Sequence, residues 1–271
     1  MTELQKVIKY LAIGLAALLI VSIVGGALSV VGLIAGLFDR ESAVEDFRSY
    51  SVTGDIHSLD IEIGAADLCF VEGDAFSVES NLKHLRVDVE NGVLEIAESA
   101  WKKAFATYYN PTLTVYVPTG TVFREISITT GAGRLTAEEL SAEILDLELG
   151  AGEVSFGSLT APASAEIEGG AGRVTIADGV LSNLNMQMGV GQLEMTSALR
   201  GSCKLVLGVG ESRINLIGDR DDYRLMLEKG LGSISVDGNS MIGGGTVGEG
   251  ACNVRISGGV GAIDVTFRVP K

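Results

Sequence analysis

Few residues of this chain have the types and spacing that chemistry needs. His57 and His84 are its only two histidines. Neither lies in an HExxH pattern or beside a cysteine pair, so neither reads as a metal ligand or a general base. Serine is plentiful, but no GxSxG elbow occurs and no histidine is placed to activate a hydroxyl. The three cysteines, Cys69, Cys203 and Cys252, are odd in number and lack zinc-pair spacing, so they define no disulfide framework. The tract Trp101 to Asn110 differs in kind. Trp101, Lys102, Lys103, Phe105, Tyr108 and Tyr109 combine aromatic faces with ammonium groups. Such a set stacks on sugars or anchors a protein partner; the same aromatics would also serve to cover the open end of a core. The expectation is a chain that is not an enzyme, has no catalytic, cofactor-binding or metal-binding residues, and carries its candidate partner contact in this tract.

What must position any such residues is a repeat. From Leu145 the chain reads LDLELGAGEVSF, then AEIEGGAGRVTI, LNMQMGVGQLEM and CKLVLGVGESRI. Gly131, Gly150, Gly170, Gly189 and Gly208 open the turns, at steps of 19, 20, 19 and 19 residues. Gly230 and Gly259 continue the series after longer steps. Gly64 takes the same role near the start, with Ala66 in place of the second glycine. Before each turn come inward candidates such as Ile126 and Ile128, Leu145 and Leu147, Leu184 and Met186, Leu225 and Leu227. After it come Leu135 and Ala137, Val154 and Phe156, Val174 and Ile176, Leu193 and Met195, Ile234 and Val236, Ile263 and Val265. Apolar and polar residues alternate on both sides, which is strand, turn, strand. Leu140, Leu159 and Leu199 punctuate the far turn.

A strand period in coils of about twenty residues describes an all-β, right-handed parallel β-solenoid. Antiparallel hairpins in a sandwich would share the alternation but not the steady step. Each glycine turn needs either a positive φ or a close approach to the next coil, and the small Ala or Val between the glycines suits stacking. The GAG turns lack the GxxxxGK[ST] pattern of a phosphate loop and recur coil after coil, so they read as structure. Residues 72–126 interrupt the repeat and read as a cap, with an Asn91-Gly92 hairpin turn. The sequence order of the coils places another coil between Cys203 and Cys252, about 10 Å at about 4.8 Å per coil. That exceeds disulfide reach, so free thiols are expected, Cys203 and Cys252 pointing inward and Cys69 outward.

Two outward columns follow. Three residues after the first glycine stand Arg134, Glu153, Arg173, Gln192 and Glu211, a ladder of alternating charge. Two residues before it stand Glu62, Thr129, Glu148, Glu168, Gln187 and Glu228, an acidic column with Glu148 over Glu168. The calcium-binding solenoid repeat carries an Asp in its glycine-rich loop, and none occurs here. The net charge of −15 excludes a nucleic-acid partner, which needs a basic surface.

From Val7 to Phe38 the chain is almost wholly apolar, with no charge between Tyr10 and Phe38. That is long enough for one transmembrane helix and too short for two. Its apolar continuation past Gly25-Gly26-Ala27 reads as an uncleaved signal-anchor rather than a cleaved signal peptide. Gly25 with Ser29, and Gly32 with Gly36, have small-xxx-small spacing, a candidate helix–helix contact through which the chain would form a homo-oligomer. The organisation read is a cytoplasmic stub and membrane helix over 1–40, a juxtamembrane linker over 41–54, and the solenoid over 55–271.

The φxφxGxG turns, the LTVYVP strand ahead of the first regular coil and the ending GEGACNVRISGGVGAIDV resemble the bacterial putative-adhesin, or toast-rack, domain family. The resemblance covers roughly Ile56 to Val269. It implies a membrane-anchored envelope protein in the plasma membrane with its C-terminal domain extracytoplasmic. It implies no catalytic residues. The expected function is non-enzymatic adhesion, binding or scaffolding towards a protein or glycan. The alternative is a regulator of an envelope-stress response acting through protein partners at the membrane.

Overall fold

Alternation places one side chain in two on the inside of each strand, and that inner set alone forms the core. All the inward residues named above are buried, from Ile126 and Ile128 through Leu225 and Leu227 to Ile263 and Val265. Leu140, Leu159 and Leu199 seal the far corner. The computed structural model describes residues 47–98 and 110–269. Among them no helix is long and apolar enough to cross a membrane. The apolar segment 7–38, with Gly25, Ser29, Gly32 and Gly36, lies outside the described residues.

The first strands are β1 (Arg48–Ser51), β2 (Ser58–Ala65), β3 (Asp67–Gly73), β4 (Ser77–Ser80), β5 (Leu85–Glu90), β6 (Val93–Glu98) and β7 (Thr112–Pro118). The regular coils are β8 (Phe123–Ala161), β9 (Ser164–Ile176), β10 (Gly179–Ser182), β11 (Asn185–Arg200) and β12 (Ser202–Ile217). β13 (Tyr223–Glu228), β14 (Leu231–Val236), β15 (Asn239–Ser240), β16 (Gly245–Val247) and β17 (Cys252–Arg268) follow. Parallel pairing joins β8 to β9, β9 to β11 and β11 to β12, so that Glu148 meets Glu168, Gln187 and Val206 in succession. This is the β-solenoid expected from the 19–20 residue step.

Both ends depart from simple sequence order. At one end β2 and β3 lie between β8 and an outer layer made of β6 and β7. The interrupting segment 72–126 therefore supplies a layer of the stack as well as its cover. β5 lies antiparallel on β6, β4 on β7 and β1 on β4. Residues 48–51, within the stretch read as a linker, are thus part of the sheet. The β5–β6 turn has Asn91 at φ 51° and Gly92 at φ 77°, the left-handed pair that an Asn-Gly hairpin requires.

At the other end β17 pairs with β12, and β13 and β14 pair with the outer side of β17. The series Gly208, Gly230, Gly259 expected along the axis is therefore Gly208, Gly259, Gly230. The physical reason is edge protection: β15 and β16 turn back antiparallel on β14 and β13, covering part of an edge that parallel coils would leave open. This order corrects the expected separation of Cys203 and Cys252. They occupy adjacent coils, with Cys203 opposite Val254. All three cysteines are free thiols, but coil separation is not the reason.

Candidate interaction surface

The corner between paired strands sets the geometry of the outer surface. Its second glycines, Gly133, Gly152, Gly172, Gly191, Gly210 and Gly261, have φ between 128° and 149°. At Gly172 a Cβ would also stand 1.8 Å from the Gly152 carbonyl oxygen of the coil beneath. Positive φ and close approach act together, so no side chain fits. Ala66 heads this row without a positive φ, and the Gly133 Cβ direction points at its carbonyl. The exception falls where the row begins.

Between the two glycines, the side chain points to solvent. Ala132, Ala151, Ala171, Val190, Val209, Val260 and Leu231 are exposed and in register from coil to coil. These residues stack along the axis, as their small size suggested, and they also face outward. Val190 is 38%, Val209 46% and Leu231 69% exposed. The result is an aliphatic ridge whose residues grow from Ala to Val to Leu towards the covered end. The signal was present in the sequence, since this position lies outside the inward alternation on either side.

The ridge is flanked by the two columns. On one side Arg134 Nε lies 3.6 Å from Glu153 and its Nη1 lies 3.9 Å from Asp67, while Arg173 Nη2 donates to Gln192 Oε1 at 2.8 Å. The charge ladder exists in the register expected. On the other side Glu148 and Glu168 stack, with Gln187 Nε2 donating to Glu168 Oε1 at 3.2 Å. An open groove of about 460 Å³ runs between this column and the corner, lined by Thr129, Glu148, Glu168, Gln187 and Met188. Burial, then Glu166, Glu148, Glu168 and Glu125, holds the Asp146 carboxyl above its usual range. Asp60 is raised likewise by burial and by Glu95, Glu62 and Glu125. One flank is therefore mixed in charge; on the other Glu148 and Glu168 stack as like charges, while Glu228 pairs with Arg255 at 3.4 Å.

His57 Nδ1 shares a hydrogen bond of 3.0 Å with Ser58 Oγ, and its ring packs where a Cβ on Gly92 would stand. That is a hairpin support. His84 is half-buried. Among the described residues no group of three or more His, Cys, Asp or Glu side chains is placed to hold a metal ion. Trp101, Lys102, Lys103, Phe105, Tyr108 and Tyr109 lie outside the described residues. Cys69 alternates outward but is half-buried by its neighbours.

The Toastrack DUF4097 family model matches residues 55–243, more than half of the chain. The chain belongs to this family. Among solved structures, a toastrack-like neighbour is a putative adhesin from Bacteroides fragilis, 14% identical, with 81% of this chain and 95% of that one covered at a TM-score of 0.45. A putative cell adhesion protein from Clostridium sporogenes is 16% identical, with 82% and 99% covered and a TM-score of 0.34. A putative lipid binding protein from Parabacteroides distasonis is 14% identical, with 81% and 96% covered and a TM-score of 0.37. At these identities and scores the likenesses assign no role to the toastrack chain. No curated protein matches.

Proposed function

We propose that this toastrack protein is a non-enzymatic binding or scaffolding component of the cell envelope. The observation that carries the reading is the exposed aliphatic ridge on a corner whose backbone is fixed by glycine and register. Rigid, evenly spaced contacts lose little entropy on binding, so an extended partner, a protein segment or a glycan strand, is matched at small cost. In this reading the apolar segment 7–38 anchors the chain in the plasma membrane, the solenoid lies outside, and the aromatic tract at Trp101 adds a second contact.

The test is crosslinking of the full chain in its native membrane, with identification of what is captured. Replacing Val190, Val209 and Val260 together by Ser should reduce capture at least tenfold while the thermal midpoint stays within a few degrees. Trp101→Ala should weaken capture further. Undiminished capture by the triple variant would remove the ridge from the proposal. The small-xxx-small spacing of Gly32 and Gly36 favours the regulatory alternative. There, replacing both by Leu should abolish function while the solenoid still folds and the ridge substitutions have no effect.

A further inference from the structure

The two inward cysteines meet at one corner of the stack. The insertion of β17 beside β12 brings the start of both strands to Leu199–Ser202. Gly201, at φ 74°, turns the chain there, and Asn253 N donates to its carbonyl at 2.9 Å. Cys203 Sγ lies 3.3 Å from the Arg200 carbonyl oxygen, and Cys252 Sγ lies 3.2 Å from that of Leu199. The sulfurs thus sit on consecutive carbonyls of one corner. Both are buried, Cys203 to 2% and Cys252 to 8% exposure. Cys252 also lines an open cavity of about 860 Å³ with Leu199, Arg200, Asp222 and Tyr223.

We infer that Cys203 and Cys252 form a peroxide-responsive dithiol, which closes to a disulfide that locks the last coils of the stack. The neighbouring Cys252 thiol holds Cys203 below the usual thiol range, while Cys203 and burial push Cys252 up. Cys203 is accordingly the thiolate that meets the oxidant and Cys252 the proton donor that resolves it. The Cys203 sulfur attacks one oxygen of hydrogen peroxide and the O–O bond breaks. This gives a sulfenic acid and hydroxide, which takes up the proton that Cys203 gave up. The Cys252 sulfur then displaces the sulfenic oxygen as water, carrying the Cys252 proton with it. Two thiols lose two electrons, and one peroxide becomes two waters. A small peroxide suits so buried a site, whereas a bulky disulfide reagent does not. The bond would join β12 to β17 and enclose β13 to β16 in a covalent loop.

The experiment uses the full chain carrying Cys69→Ser, purified in detergent under reductant. After reductant removal and one equivalent of hydrogen peroxide, free thiols are alkylated. The expected result is loss of both alkylation sites together and a mass lower by two hydrogens. Trypsin should release the peptide Gly201–Lys204 joined to Gly230–Arg255. The thermal midpoint should rise by about 5 °C or more, and Cys252→Ser should abolish both the joining and the rise. Three results would each overturn the inference: two thiols still alkylated in full, oxygen added to a cysteine without joining, or disulfide-linked dimers in place of the internal bond.

Discussion

The most demanding residues of this protein are ones without side chains. Gly172→Ala would force a methyl group onto the Gly152 carbonyl at a positive φ. Backbone lies on one side and strain on the other, so the variant should lose several kcal/mol, of order 3 or more, and thermal unfolding will show it. Ala66→Gly, at the head of the same row, should cost only about 0.5–1 kcal/mol through unfolded-chain entropy. Tyr223 is a second informative residue. Its hydroxyl donates to the Ile217 carbonyl at 2.6 Å, its ring packs 5.7 Å from Phe267, and burial pushes its phenol up to about 12 from 10. With the folded value above the unfolded one, the phenolate forms first in the unfolded chain. The Tyr223 contribution to stability is therefore complete below pH 10 and is lost as pH rises from about 10 to about 12. Denaturant midpoints measured across that range should fall, and Tyr223→Phe should flatten the fall while costing about 1 kcal/mol at neutral pH.

At the scale of elements, β17 decides whether the last coils exist. It is the parallel partner of β12 on one side and of β13 and β14 on the other. A chain ending at residue 250 should leave β12 as an open edge and β13 to β16 without a template. The expected outcome is loss of amide-exchange protection across 223–247, with protection across 144–195 retained. The elements were legible in the sequence to an uneven degree. Every inward pair named from alternation, from Ile126 and Ile128 to Ile263 and Val265, is buried, because burial on one face of a strand imposes period two. The glycine step of 19–20 residues gave the coil, because stacked corners demand identical spacing. The order of the ends was not legible. Gly230 and Gly259 carry the same local pattern, and nothing in that pattern says which coil is outer. Cys203 and Cys252 were misplaced for that reason alone. The outward aspect of Val190, Val209 and Val260 was not drawn from the sequence, because an apolar residue beside glycine suits stacking and exposure alike.

For the molecule as a whole, charge is the term that conditions control. The net charge is −15, and stacked carboxylates at Asp146, Glu148, Glu166 and Glu168 concentrate it on one flank of the corner. Asp146→Asn should therefore stabilise the fold at neutral pH and low salt by a few tenths of a kcal/mol. The folded Asp146 carboxyl titrates above 3.8, so the wild-type chain regains this stability as pH falls through that range, and the advantage of the variant should vanish there. Added salt should narrow the gap in the same way by screening. Thermal midpoints of both chains, at two pH values and two salt concentrations, check all of this in one experiment.

The inverted order of the last coils also has a consequence for how the protein is born. A solenoid laid down in chain order could set each coil on the last as it emerged. Here the segment 223–236 emerges ahead of the strand it must rest against, and waits. Residues 252–268 then have to enter between two segments that were made before them, so the final step of assembly is an insertion and not an addition. Until it occurs, the edge of β12 stands open to any strand that finds it. A ribosome or a translocation channel that pauses before residue 252 would hold the protein at its most adhesive moment.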